Sequence, residues 1–237
     1  MRDFLIEDYG ISPEKIDIVP NGINYSRYKP VSHEERLKLK HKLGFPGNEK
    51  IILFSGRIDN SKGIFFLLDA FADACKKMED LRLVLIGQGS ITECKQKYAS
   101  INNKMIFTGL LPFEQVMNFY RIADAGVLPS LYEQCPYTVL EMMANKIPMI
   151  LSEIDGLNEI SDDDKCVIIE PVNCENGEIS FDIKELSNVM LRLTGDSQTS
   201  SRLAANSYNN LINNYSATRM ASEIYGICSS LTAKNPH

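Results

Sequence analysis

Short β-rich runs, several of them continuously apolar, alternate along the chain with segments whose apolar residues recur every three to four positions. The runs are "KIDIV" (15–19), "KIILFSG" (50–56), "LRLVLIG" (81–87), "KMIFTG" (104–109), "AGVLPS" (125–130), "IPMILS" (147–152) and "KCVIIEP" (165–171). Runs without polar alternation predict strands covered on both faces, as in a parallel sheet. Between them, Ile64, Leu68, Phe71, Cys75 and Met78 form one helical stripe within 63–78. Val116, Phe119, Tyr120 and Ala123 form another within 113–123, each a face that must be buried. A helix is also predicted over 33–43, after the irregular stretch "PNGINYSRYKPVSHEE" (20–35), which is expected near a surface or a hinge.

After Pro171 the alternation stops. Three amphipathic helices are predicted there, over 182–194, 197–213 and 217–230, with stripes such as Ile183, Leu186, Met190 and Leu193, and Met220, Ile224 and Ile227. Strand then helix, repeated, predicts the α/β class. We expect a Rossmann-like doubly wound parallel sheet of about six strands, helices on both faces, right-handed crossovers and extra C-terminal helices.

Composition narrows the function classes. A chain of 237 residues can bury a sizeable core, and its net charge of −6 argues against a broad nucleic-acid-binding surface while leaving room for a local anion site. No apolar run approaches the roughly 18 residues of a membrane span. Met1-Arg2-Asp3 does not open a signal peptide, and a cytoplasmic location is expected. Cys75, Cys94, Cys135, Cys166, Cys174 and Cys228 contain no C-x-x-C, so neither a disulfide framework nor a zinc site is expected.

In an open α/β sheet, ligands bind outside the carboxyl ends of the strands, and three features fall there. In "SGRIDNSKG" (55–63), Arg57 and Lys62 flank a helix start that Asn60 or Ser61 could cap. The helix dipole disfavours cations at that end, and an anion such as diphosphate, held between amides and cations, would resolve the conflict. Two solvated basic side chains on a loop give the same pattern. "LIGQGSIT" (85–92) places Gly87 and Gly89 after a strand, but Thr92 stands where a dinucleotide fingerprint needs a third glycine.

The third feature is "SLYEQCPYTVLEMMANKIPMI" (130–150). Glu133 falls on the loop after a strand, Pro136 suits a first helical turn, and Glu141 falls within the helix. The amides from about Cys135 to Thr138 would face the crevice. At about 1.5 Å of rise per residue the carboxylates would stand roughly 8–12 Å apart, a span that suits two hydroxyl-bearing ends of one extended ligand. Taken alone, the feature is better read as two exposed glutamates on a loop and a helix.

Five stretches in order, "IVPNGINYSRYKP", "FSGRIDNSKGIFFLLDAF", "LVLIGQGS", "FTGLLPFEQVMNFYRIADAGVLPS" and "EQCPYTVLEMMANKIPMILSEIDGLNEI", resemble the donor-nucleotide half of retaining GT-B glycosyltransferases of the glycogen-synthase-like group, family four. The resemblance runs from about residue 15 to 230. It implies that residues 1–14 are a hinge at the end of a missing N-terminal lobe, that 15–230 form the donor domain, and that 231–237 are a tail. It implies a donor site of Gly56, Arg57, Lys62, Gly87, Gly89, Leu111, Glu133, Cys135, Pro136, Tyr137, Thr138 and Glu141. Arg57 and Lys62 would clamp the diphosphate, Glu133 would face the transferred sugar, and Glu141 would meet the ribose. Arg57, Lys62 and Glu133 would thus carry the catalysis.

The chain departs from the family pattern at two places. Cys135-Pro136 replaces the usual Phe-Gly, and Lys146 replaces a glycine, which would bring another cation near the cleft. His33, His41 and His237 lie outside every motif.

The expected partner is a UDP-, GDP- or ADP-linked sugar, together with an acceptor-binding lobe absent from this chain. The expected role is hexosyl transfer in polysaccharide or glycoconjugate synthesis, without a metal or other cofactor. The isolated lobe would be inactive, and the missing lobe could carry the protein to the inner membrane face. A non-catalytic nucleotide-sugar sensor and a nucleotide-sugar epimerase on the same fold are the alternatives.

Overall fold

The computed structural model describes residues 2–160, 162–173 and 179–234. Helices α1 (Arg2–Glu7) and α2 (His33–Lys42) precede strand β1 (Lys50–Ser55). Then come α3 (Ile64–Ala74), β2 (Leu81–Ile86), α4 (Ile91–Lys97), β3 (Met105–Gly109), α5 (Phe113–Ile122) and β4 (Ala125–Leu128). The second half contains α6 (Tyr137–Ala144), β5 (Met149–Ser152), α7 (Asp155–Asn158), β6 (Val167–Ile169), β7 (Pro171–Asn173) and β8 (Ile179–Phe181). It closes with α8 (Ile183–Gly195), α9 (Ser197–Asn214) and α10 (Ala217–Lys234).

Six strands form one parallel sheet in the order β3-β2-β1-β4-β5-β6, the expected doubly wound α/β fold. Ile51, Ile52, Leu53 and Phe54 of β1 are all fully buried, so alternate side chains on both faces are covered by helices. The α3 stripe buries Ile64, Leu68 and Phe71 as its spacing predicts. The chain runs outward through β2 and β3, then returns to β4 beside β1. That reversal opens a crevice beyond the carboxyl ends of β1 and β4.

Three local expectations are corrected. Residues 15–19 form no strand: Pro13–Lys15 is a 3-10 turn, and the segment after it pairs with no sheet edge and leaves Ile18 59% exposed. The run 165–171 ends its parallel pairing at Ile169, and from Pro171 onward the chain forms a separate antiparallel hairpin, β7 with β8. Proline has no N–H to extend a ladder. Finally, α10 continues to Lys234, past the expected end of that helix. No disulfide joins the described cysteines; Cys174 and His237 lie outside the described residues.

Candidate functional site

The loop after β1 is shaped by Asp59, not by Asn60 or Ser61. Asp59 caps the 3-10 turn Asn60–Lys62 by accepting from the Lys62 amide at 3.2 Å and from the Ser61 hydroxyl at 2.6 Å. Burial pushes the Asp59 carboxyl up, but Ser61, Arg57 and the Lys62 amide outweigh it and hold the carboxyl below its ordinary value. Gly63 then adopts a left-handed conformation, φ 66°, and stands at the start of α3. An added Cβ there would lie 1.8 Å from the Pro129 carbonyl oxygen, so only glycine lets this loop pass so close to the end of β4.

That close approach joins two of the sequence motifs. The Leu131 amide donates to the Ser61 carbonyl at 2.9 Å. Lys62 Nζ then meets Glu133 Oε1 at 2.6 Å, with side chains only 18% and 9% exposed. Ser130 Oγ donates to the same carboxylate oxygen at 2.9 Å, and its own carbonyl accepts from Ser152 Oγ at 2.6 Å. Arg57 stays outside this cluster. Its side chain is 73% exposed and meets Asp59 at 3.4 Å and Ser61 at 3.3 Å, on the rim of the crevice.

Helix α6 begins beside this cluster. Pro136 is its N-cap residue, one position before the first turn, and makes no side-chain cap. The amides of Tyr137 and Thr138 are the first two of the helix and so have no acceptor within it. Thr138 Oγ1 donates to the Ser55 carbonyl at 3.2 Å, fixing the helix start against the end of β1. Asn21 Nδ2 donates to the Cys135 carbonyl at 2.8 Å, and the Tyr137 hydroxyl reaches Asn21 Oδ1 at 3.4 Å. Burial raises the Cys135 thiol above its ordinary value.

Glu141 lies apart from Glu133 and shares none of its partners. Tyr120 OH donates to Glu141 Oε2 at 3.0 Å and Tyr28 OH to Oε1 at 3.5 Å. Burial raises the carboxyl above its ordinary value, and the two hydroxyls only partly offset that. Burial and Glu141 together push Tyr28 up to about 12. For an acid raised in the folded state, the favourable contribution is full below the unfolded pKa and declines as pH rises through the folded one. Glu141→Gln is therefore expected to raise the melting temperature at neutral pH, with the difference vanishing in acid. Melting curves from pH 4 to 8 check this; a midpoint lowered at every pH would show that the carboxylate is needed by the fold itself.

Gly87 and Gly89 occupy crowded backbone. A Cβ on Gly87 would meet the Gly56 carbonyl oxygen at 1.9 Å, and one on Gly89 the Ile58 carbonyl oxygen at 2.2 Å. Their small size serves the packing of neighbouring loops, whatever ligand also approaches. Leu111 is half-buried just past β3.

Lys146 is not near the crevice. It follows α6 and precedes β5, which puts it at the amino edge of the sheet, opposite the site. Its φ of 54° is the single positive value at a non-glycine residue among the described ones. This left-handed turn explains why glycine is usual there; lysine holds it at about 1–2 kcal/mol.

Asn21, Tyr28, Tyr120 and Ser130 were not singled out from sequence. Tyr120 sits in the apolar stripe of α5, and its one cue is that a buried tyrosine hydroxyl needs a partner. Nothing in the irregular stretch 20–35 signals that Asn21 and Tyr28 reach residues more than 110 positions away. Among the described residues, no group of three or more His, Cys, Asp or Glu is placed to hold a metal ion. No described helix is long and apolar enough to cross a membrane.

The profile of the family described as Glycosyl transferases group 1 matches residues 35–210. Mannosylfructose-phosphate synthase of Agrobacterium fabrum is 32% identical over 166 residues, covering 65% of this chain and 36% of its own length. The crystal structure of Anabaena HepE in complex with UDP and glucose superposes with a TM-score of 0.82 at 20% identity, over 97% of this chain and 60% of that one. The C-terminal domain of a glycosyl transferase group 1 family protein (LpcC) from Francisella tularensis has a TM-score of 0.69 at 25% identity. That match covers 83% of this chain and 100% of the Francisella domain. The chain spans 36%, 42% and 43% of three curated relatives it matches.

Proposed function

Because this chain belongs to the Glycosyl transferases group 1 family, we propose that its crevice holds the nucleoside diphosphate of a sugar donor. The whole protein would transfer that sugar to a hydroxyl acceptor with retained configuration, in polysaccharide or glycoconjugate synthesis. A second, amino-terminal lobe would bind the acceptor, and this lobe alone would not turn over.

The observation that carries the reading is the Lys62–Glu133 ion pair, closed at 2.6 Å on the loop that leads into α6. Lys62 is thereby held at the mouth of the crevice, where the diphosphate of a donor would lie against the helix start. As the glycosidic bond breaks, negative charge grows on the leaving diphosphate. Fixed donors, here Lys62, Arg57 and the Tyr137 and Thr138 amides, stabilise that charge without reorganising. Glu133, fixed by Lys62 and Ser130, would accept from hydroxyls of the transferred sugar. Glu141, whose two oxygens are oriented by Tyr120 and Tyr28, would accept from the ribose. The positive charge on Lys62 and Arg57 does the work that a divalent metal would otherwise do, so none is invoked.

UDP, present in the similar Anabaena structure, is the first nucleotide to test. In a thermal-shift series with UDP, GDP and ADP, each against its bare nucleoside, one diphosphate is expected to raise the midpoint. At about 100 times the dissociation constant a ligand adds roughly 2.7 kcal/mol, or about 5–10 °C for a domain of this size. Lys62→Ala should weaken that nucleotide by about 1–3 kcal/mol, and Arg57→Ala by about 1 kcal/mol because it is more exposed. Unchanged affinity in both variants by calorimetry would remove the clamp from the reading.

A further inference from the structure

At the amino edge of the sheet, opposite the crevice, α2, the turn after α6 and the start of α9 enclose a recess of about 460 Å³. Arg36, Lys50, Arg121 and Lys146 line it, with Asp124 as the one carboxylate. Four cations thus face one anion, in a chain whose net charge is −6. Asp124 is already engaged by Arg36 at 2.9 Å and by Lys40 at 3.2 Å. Among the described residues no ion pair engages Lys50, Arg121 or Lys146. The Arg121 Nε is buried and has no hydrogen-bond partner, while its Nη1 reaches only Asn118 at 3.3 Å. The Ser197 and Ser201 hydroxyls, on the first turns of α9, add donors to the same wall.

Lys146 supplies an independent observation. It keeps a left-handed backbone that glycine would adopt freely, and its ammonium, 4.6 Å from the Tyr208 ring centroid, rests on a ring that is not itself part of the recess lining. Strain retained at a lysine, beside an arginine with an unpaired buried nitrogen, marks a place where positive charge is kept for something other than folding.

We propose that this recess is a second anion site, distinct from the donor crevice, that takes a small soluble molecule bearing a phosphate or diphosphate group. Arg121 and Lys146 contact the phosphoryl oxygens, Lys50 supplies long-range attraction, and the α9 hydroxyls complete the hydrogen bonding. Tyr120 lines the recess while its hydroxyl holds Glu141 on the crevice side, but the four cations lie at the opposite edge, and the proposal does not depend on the donor reading.

The test uses inorganic pyrophosphate as probe, followed by calorimetry and by amide chemical shifts. Pyrophosphate is expected to shift resonances of 145–148 and 197–201 in wild type, and equally in Lys62→Ala, where the crevice is impaired. Lys146→Gly and Arg121→Gln are each expected to weaken that response about tenfold. Lys146→Gly also relieves the strained turn, so it should melt at or above the wild-type temperature, and a folding defect cannot mimic the loss. Its response to UDP should be unchanged. A pyrophosphate response that disappears in Lys62→Ala and survives in Lys146→Gly would overturn the proposal. Sedimentation with phosphatidic-acid vesicles by a protein blind to pyrophosphate would overturn it in favour of a lipid surface.

Discussion

Gly63→Ala is expected to destabilise the protein by about 3 kcal/mol, read as a lowered urea midpoint at unchanged slope. Two effects add. An alanine at φ 66° costs about 1–2 kcal/mol for its left-handed backbone. Its methyl group would also lie 1.8 Å from the Pro129 carbonyl oxygen and 2.8 Å from the carbonyl carbon. Backbone cannot rotate away as a side chain can, so the loop after β1 must separate from the loop after β4, at roughly 1–3 kcal/mol for forced repacking. Gly47→Ala is the internal control: its φ is 93°, but nothing lies within 4 Å of the added methyl, so it isolates the dihedral cost. If both variants lose the same amount, the close approach at Gly63 contributes nothing. The same separation would pull Lys62 from Glu133, so Gly63→Ala should also weaken the nucleotide more than its stability loss alone predicts.

Asp124→Asn is expected to cost about 3–5 kcal/mol, the range for removing one partner of a buried ion pair. Asp124 receives Arg36 and Lys40, and its Oδ2 accepts from the Ile51 amide at 2.8 Å. Lys40 is only 3% exposed and donates otherwise to the Glu49 carbonyl at 2.6 Å. An asparagine can keep one acceptor, but its NH₂ would face a buried ammonium or guanidinium. Burial pushes the Asp124 carboxyl up; Arg36, Lys40 and the Ile51 amide together overcome that and hold it below its ordinary 3.8. A depressed acid contributes stability that is present above the unfolded pKa and declines as pH falls through the folded value. The gap between wild type and Asp124→Asn should therefore be full at neutral pH and close in strong acid. A gap that stays constant down to pH 2 would mean that the lost contacts are not those of the charge.

Much of this architecture was legible because parallel strands buried on both faces leave long apolar runs. "KIILFSG" and "LRLVLIG" are such runs, and they pair with each other as neighbouring inner strands of the sheet. "KIDIV" is rich in β-branched residues too, but Asp17 interrupts it and it has no neighbour to pair with; pairing is a tertiary fact that a local pattern does not carry. The hairpin of β7 and β8 was hidden for the opposite reason, since Pro171 ends one ladder and begins another within a single apolar run.

Within the candidate site, the loop and helix positions of Glu133 and Glu141 followed from Pro129 and Pro136. Their partners did not follow. Lys62 meets Glu133 across 71 positions and Tyr28 meets Glu141 across 113, contacts set by how the loops cross and not by any spacing. Lys146 was expected near the cleft although it directly precedes the apolar run 147–152. A residue that directly precedes a parallel strand belongs to the opposite edge of the sheet.

Residues near 20 and near 217 meet side by side. The Ile23 amide donates to the Tyr215 carbonyl and the Ala217 amide to the Ile23 carbonyl, each at 2.9 Å, and Arg219 reaches the Pro20 carbonyl at 2.5 Å. A Cβ on Gly22 would strike the Ser216 carbonyl oxygen at 2.4 Å, so the two segments touch backbone to backbone. The mechanical consequence concerns tension. The crossing is parallel, so a force drawing residue 20 and residue 219 apart loads these three bonds in shear, while the sheet between them carries none of the pull until the clasp breaks.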